Sequence, residues 1–194
     1  MSIAAIVLAA GASRRMGQSK QVLELGGEAL VHRAARVALQ AGCDPTLVVL
    51  GCQAEAVGAA LSGLPCTKVV NGDWEEGMAS SIRAGLSAVP HHAVAVLLLA
   101  CDQPAVDADF LRLMIQDFHL EPERVLAAAY AGVVGIPALF PRRCFEALKG
   151  LTGDRGARSL LEDADVLSLP LLGGERDIDT TLDFEETRRR MELS

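Results

Sequence analysis

Ile3-Ala4-Ala5-Ile6-Val7-Leu8-Ala9-Ala10-Gly11-Ala12-Ser13-Arg14-Arg15-Met16-Gly17-Gln18-Ser19-Lys20 is an apolar run that turns abruptly into a loop bearing glycines and cations. Ile3–Ala9 carries no polar side chain, the pattern of a strand covered on both faces, as in parallel sheets. In an open α/β sheet, ligands bind beyond the carboxyl ends of the strands, so residues 10–20 stand where a ligand would. Small residues let backbone N–H groups approach phosphate oxygens, and Arg15 and Lys20 supply positive charge. Three familiar loops do not fit. A P-loop has four residues between its glycines, followed by Lys-Ser/Thr; five separate Gly11 from Gly17, and Gln18 follows. The G-x-G-x-x-G dinucleotide fingerprint is missing, and Arg15 stands where a nucleophile elbow would close on glycine. Taken alone, the loop is also compatible with a solvated surface turn.

Outward from this loop, short apolar runs alternate with amphipathic stretches. The pattern predicts helices over Glu28–Ala41, Ala54–Leu61, Met78–Ala88 and Asp107–Phe118. Strands are expected at Leu47–Leu50, Thr67–Val70 and Val94–Ala100, the last without a polar residue. After Val125 the alternation loosens: two short strands within Val125–Phe140, a helix at Arg158–Asp163, a strand at Val166–Leu169 and a closing helix at Leu182–Met191. Strand–helix alternation implies an α/β fold, a doubly wound and mostly parallel sheet with right-handed crossovers. Neither a repeat nor a linker interrupts it, so one domain over 1–194 is expected.

The 194 residues are 51% hydrophobic and 22% charged, enough for a full core and unlike disordered or fibrous chains. The apolar runs fall well short of the ~20 residues that span a bilayer. Arg14 and Arg15 follow the first apolar run instead of preceding it, which favours a strand over a targeting segment and a cytoplasmic protein. A net charge of -7 argues against a nucleic-acid surface, while the local cluster Arg14, Arg15 and Lys20 suits a small anion. Five scattered cysteines without a C-x-x-C pair speak against a disulfide framework or structural zinc.

Further clusters carry chemistry. Cys101-Asp102-Gln103-Pro104 ends the most apolar strand and puts a hard oxygen ligand at the crevice, suited to Mg²⁺. Asp107 already serves as N-cap of the next helix, which leaves Asp102 free of that duty. Asn71-Gly72-Asp73-Trp74-Glu75-Glu76-Gly77 leads into a helix whose first turn holds Ser80 and Ser81, able to meet a base, a phosphate or simply a cap. Gly153-Asp154-Arg155-Gly156-Ala157-Arg158 offers two arginines on a loop, and Asp177-Ile178-Asp179-Thr180 points both aspartates one way if extended.

In order, L-A-A-G-x-S-x-R-M-G-x-x-K, N-x-x-W-x-x-G-x-x-x-S, C-D-Q-P, G-x-P-x-x-F, G-D-R-G-A-R and D-I-D-T resemble the molybdenum cofactor nucleotidyltransferases, most closely the cytidylyltransferase branch. The resemblance covers Ile3 to about Arg188 and implies a Rossmann-like nucleotidyltransferase domain. It implies joining a nucleoside monophosphate from an NTP to the phosphate of molybdopterin, with Mg²⁺ and release of pyrophosphate. On the matching positions, Leu8, Ala9, Ala10, Gly11 and Ser13 would hold the nucleotide, with Asn71, Ser80 and Ser81 lining the nucleoside pocket. Arg15 and Lys20 would hold the triphosphate and act catalytically with Asp102; Asp102 and Asp179 would bind the metal, with Asp177 a competitor. Gly135, Pro137, Arg155 and Arg158 would face the acceptor. A recipient molybdoenzyme would be a further partner.

Ala9-Ala10, where guanylyltransferases resemble L-A-G-G, suggests CTP over GTP. Two departures stand out: Ile136 replaces a polar residue of G-x-P-x-x-F, and Thr181-Leu182 replaces Pro-Glu after D-I-D-T. The first weakens the link to the pterin acceptor. Besides cytidylyl transfer, two readings stay open: another NTP or phosphorylated acceptor such as a sugar phosphate, and a non-catalytic accessory protein that delivers cofactor.

Overall fold

The structure, a computed structural model, describes residues 2–154, 156–162 and 165–192. The chain runs β1 (Ser2–Ala9), β2 (Glu24–Leu25), β3 (Glu28–Ala29), α1 (Leu30–Gln40), β4 (Thr46–Leu50), α2 (Ala54–Ala59), β5 (Thr67–Val70) and α3 (Met78–Ser87). It continues through β6 (Ala93–Ala100), α4 (Ala108–Leu120), β7 (Val125–Tyr130), β8 (Val133–Pro141), α5 (Phe145–Lys149), α6 (Arg158–Glu162), β9 (Val166–Pro170) and α7 (Thr181–Glu192). Seven strands form one sheet in the order β5-β4-β1-β6-β8-β7-β9. Pairing is parallel except where β8 meets β6 and β7. The mostly parallel, Rossmann-like sheet matches the sequence expectation.

The strands sort their residues by parity. Ile3, Ala5, Val7 and Ala9 of β1 join Val31, Leu111 and Met114 on one face, while Ile6 joins Ile82 and Leu86 on the other. In β6, Leu97 and Leu99 face one layer and Leu98 the other, each at most 1% exposed. Burying side chains of this size contributes roughly 1.5–3 kcal/mol apiece. Gly85 of α3 lies so near β1 that an added Cβ would stand 2.6 Å from Ile6.

Several features differ from the sequence expectation, among them the helix α5, which the sequence pattern did not announce. The reversal of β8 follows from Ala131 and Gly132, whose φ of 47° and 76° make a two-residue hairpin between Tyr130 and Val133. Further along, the register slips between Ala127 and Ala128, opposite Ile136 and Pro137 of β8, as suits a proline inside a strand. The helix expected from Glu28 begins at Leu30, because Glu28 and Ala29 pair with β2 in a small hairpin. Asp107 caps α4 by accepting from the Phe110 N–H at 2.8 Å. The cysteines are free. Among the described residues, no helix is long and apolar enough to cross a membrane. Asp163, the expected end of α6, lies outside the described residues.

Candidate functional site

β1 pairs with β4 on one side and β6 on the other, so the chain's crossovers diverge at β1 and open a crevice at the carboxyl ends of β1 and β6. A cleft of about 370 Å³ occupies it. Its lining includes Leu8, Ala10, Gly11, Arg14, Lys20, Gln21, Trp74, Ser81, Asp102 and Asp154.

The loop after β1 is shaped from within. Gln21 is 1% exposed, and its amide donates to the Gly11 carbonyl at 2.7 Å. Its Oε1 accepts from Ser19 Oγ at 2.6 Å and Ser13 Oγ at 3.1 Å. Ser13 Oγ in turn accepts from the Lys20 N–H at 3.0 Å. One buried amide thus closes the loop on itself and aims Lys20 at the crevice. Met16 plugs the loop from below, packing with Leu25, Leu30 and Ile178.

Ile178 does a second task. It is fully buried, and its N–H donates to the Asp102 carbonyl at 2.9 Å. That bond ties residues 177–179 to the turn after β6, two segments far apart in sequence. As a result, Lys20 Nζ lies 2.5 Å from Asp102 Oδ2 and 2.8 Å from Asp179 Oδ1. Arg15 approaches Asp179 at 3.6 Å but is otherwise exposed. Burial would lower the Lys20 pKa, but the charge and hydrogen bond of Asp102, joined by Asp179, outweigh it and hold the ammonium above its ordinary range.

Asp177 does not join this trio. Partial desolvation, then the negative charge of Asp102, push its pKa up to about 6, against the opposing Gln103 amide and Lys20. Burial also pushes the Cys101 thiol far above its ordinary range, which removes it as a nucleophile beside Asp102.

The other expected residues divide between surface and scaffold. Ser81 lines the cleft, whereas Asn71 and Ser80 are buried behind it. The Asn71 amide donates to Ser80 Oγ at 2.8 Å and Ser81 Oγ at 3.1 Å, and its Oδ1 accepts from the Asp73 N–H. Asn71 therefore shapes the wall without opening onto it. Ala9 is 1% exposed and turned to the α1 and α4 layer, away from the cleft lining. Ser13 is spent inside its loop. Pro137 is buried in β8, and Gly135 lies against the Tyr130 hydroxyl. Arg158 pairs with Glu162 at 3.3 Å, and Arg155 lies outside the described residues.

Sequence reasoning placed Arg14 in the cationic cluster but passed over Gln21, Trp74 and Asp154 as lining residues, and Met16 and Ile178 as anchors. Only Ile178, an apolar residue between two aspartates, carried a readable signal. Asp154 reaches the cleft because Gly77, at φ 103°, admits the 153–154 backbone: a Cβ there would meet Asp154 Oδ1 at 2.3 Å.

The donor chemistry fits a divalent cation. Two carboxylates from separate segments converge on one cationic point, and Mg²⁺ commonly takes one or two protein carboxylates plus waters and phosphate oxygens. Among the described residues, no group of three or more His, Cys, Asp or Glu is placed to hold a metal.

A crevice with a small-residue loop, one lysine and a carboxylate pair, and among the described residues no activated nucleophile, has the chemistry of a phosphate-handling α/β transferase. The chain belongs to the MobA-like NTP transferase domain family, whose model matches residues 5–168. It is a nucleotidyltransferase of that type. It is 34% identical to purine catabolism protein PucB of Bacillus subtilis, over 96% of each chain. Nicotine blue oxidoreductase of Paenarthrobacter nicotinovorans is also 34% identical, over 82% of this chain and 81% of that one. A probable molybdenum cofactor guanylyltransferase of Opitutus terrae is 34% identical over 55% of this chain and 51% of its own. Among solved structures, Rv0371c of Mycobacterium tuberculosis in complex with manganese aligns with a TM-score of 0.81 and 31% identity, covering 97% of this chain and 99% of that one.

Proposed function

We propose that this chain transfers CMP from CTP to the phosphate of molybdopterin and releases pyrophosphate, in the cytoplasm. The observation that carries the reading is the Lys20 ammonium held between Asp102 and Asp179 at the mouth of the β1–β6 crevice. An acceptor phosphate oxygen attacks the α-phosphorus in line, forming a new P–O–P linkage as the bond to the β-phosphate breaks. Such chemistry needs orientation and charge neutralisation but no protein nucleophile.

Leu8, Ala10 and Gly11 offer backbone to the base and ribose, with Ser81 opposite on α3. Lys20, Arg14 and Arg15 gather the phosphates. Asp102 and Asp179 would hold Mg²⁺, which when bound neutralises phosphate charge. Gly135 and Arg158 would meet the acceptor, with the buried Pro137 shaping β8 beside them, and a recipient molybdoenzyme would take the product.

Support for CTP over GTP comes from Ala9-Ala10 after β1, where guanylyltransferases resemble L-A-G-G. The competing reading, GTP or another phosphorylated acceptor, is favoured by the guanylyltransferase relative. Pyrophosphate release is therefore measured with CTP, GTP, ATP and UTP, each with and without molybdopterin. Molybdopterin-dependent release fastest with CTP is the expected result. Equal rates with CTP and GTP at matched saturation overturn the base choice, and molybdopterin independence overturns the acceptor.

A further inference from the structure

Lys20 has two sets of partners that cannot be satisfied together. Its ammonium is the natural hold on a triphosphate, yet it sits 2.5 Å and 2.8 Å from the two carboxylates that would hold the divalent cation. We propose that Lys20 is an internal cation that occupies the Asp102–Asp179 pair until a triphosphate draws it away, so that the site admits a divalent cation together with nucleotide and resists the free ion. The proposal rests on the nucleotidyl-transfer reading and adds an order of binding to it.

The geometry allows the exchange at little structural expense. The backbones are fixed: the Lys20 N–H to Ser13 Oγ at 3.0 Å, the Lys20 carbonyl to the Leu23 N–H at 3.1 Å and the Asp102 carbonyl to the Ile178 N–H at 2.9 Å. The Asp179 N–H reaches Asp183 Oδ2 at 3.2 Å. Only the four-carbon stem of Lys20 has to swing, and lysine is a point charge on a flexible stem.

Charge gives the exchange its direction. Two carboxylates are matched by Lys20 and, at 3.6 Å from Asp179, by Arg15. A free divalent ion would enter a site whose two carboxylates are already paired and meet an ammonium bound to the same oxygens. A triphosphate supplies new anionic oxygens for Lys20, beside Arg14 in the same cleft, and frees the carboxylates.

The test is Mn²⁺ binding to the full chain by electron paramagnetic resonance, with no nucleotide, with CTP and with GTP. Lys20→Met should bind free Mn²⁺ at least tenfold more tightly than the unsubstituted protein and lose most of the nucleotide-dependent gain. Lys20→Arg keeps a cation and should behave as the parent. Lys20→Met combined with Asp102→Asn should lose the tightening. Lys20→Gln repeats the experiment should the methionine variant melt at room temperature. No tightening in a folded Lys20→Met or Lys20→Gln, or tightening that survives Asp102→Asn, overturns the proposal. Pyrophosphate release by the unsubstituted protein separates the proposal from its premise. Turnover without the Mn²⁺ effect removes the internal-cation role and keeps the transfer. The Mn²⁺ effect without turnover keeps the role and removes the transfer.

Discussion

The β1 wall of the cleft is held by buried side chains, whereas the wall at Gly153 and Asp154 is held by backbone fitted against glycine. On the first, Gln21, Ser19 and Met16 are each at most 9% exposed and bind the loop from inside. On the second, Gly153 and Asp154 are exposed, and the segment is fixed by the Gly153 carbonyl accepting from the Ala79 N–H at 3.0 Å and by the close approach to Gly77. A wall secured by buried hydrogen bonds arrives preorganised, and preorganised charge is what stabilises phosphoryl transition states. A wall secured by a few backbone contacts can shift to admit a large acceptor at low cost. If, as proposed, nucleotide binds the first wall and acceptor the second, the two recognitions are separable, and each substitution below asks whether they come apart.

The largest effect is expected at Asp102. Asp102→Asn keeps the shape but removes the charge that faces Lys20, so pyrophosphate release should fall by a factor on the order of 10²–10³, or ~3–4 kcal/mol. Its melting temperature should move little, because the backbone tie to Ile178 survives. A fall below tenfold would move the chemistry off the β1–β6 crevice.

Next comes Gln21→Leu, which fits the volume but strips three hydrogen bonds and leaves the Gly11 carbonyl unpaired. Unmet buried polar groups cost ~1–3 kcal/mol each, so unfolding by denaturant should show a loss of about 2 kcal/mol or more, and the KM for CTP should rise. Gly77→Ala probes the opposite wall. Its φ of 103° and the 2.3 Å clash with Asp154 Oδ1 force the 153–154 segment outward. The KM for the acceptor should rise several-fold more than that for CTP. Equal changes in both would show the two walls to be coupled.

How much of this could be read in the sequence follows the same division. The parallel sheet, the crevice and the positions of Lys20 and Asp102 were legible because apolar strands and the loops after them are local patterns. The antiparallel β8 was not, since its cause is a hairpin at Ala131-Gly132, and alanine at φ 47° is an unusual choice there. Asp179 came to the site only through the family resemblance; its physical reason is the contact of Ile178 with Met16 and Leu30, residues more than 140 positions away. The scaffold role of Asn71 was equally hidden, because a side chain that binds serines looks the same in sequence as one that binds a base.

The smallest effect is expected from Asp177, and its sign is specific. Its pKa is raised to about 6 by partial desolvation and the charge of Asp102, so the folded protein holds a proton that the unfolded chain releases near pH 4. Stability from this group is full below about pH 4 and is lost as pH rises through 6. Asp177 is exposed, and solvent screening should keep the loss to about 1 kcal/mol or less. Asp177→Asn should therefore melt slightly higher than the parent at pH 7.5, with the gap closing by pH 4.5. The same substitution should leave the KM for CTP unchanged, since the Asp177 carboxylate faces the Gln103 amide and takes no place in the Lys20 ion pairs. A melting difference that is constant with pH would assign the effect to lost packing and not to a proton, and a raised KM for CTP would put Asp177 on the nucleotide side of the cleft.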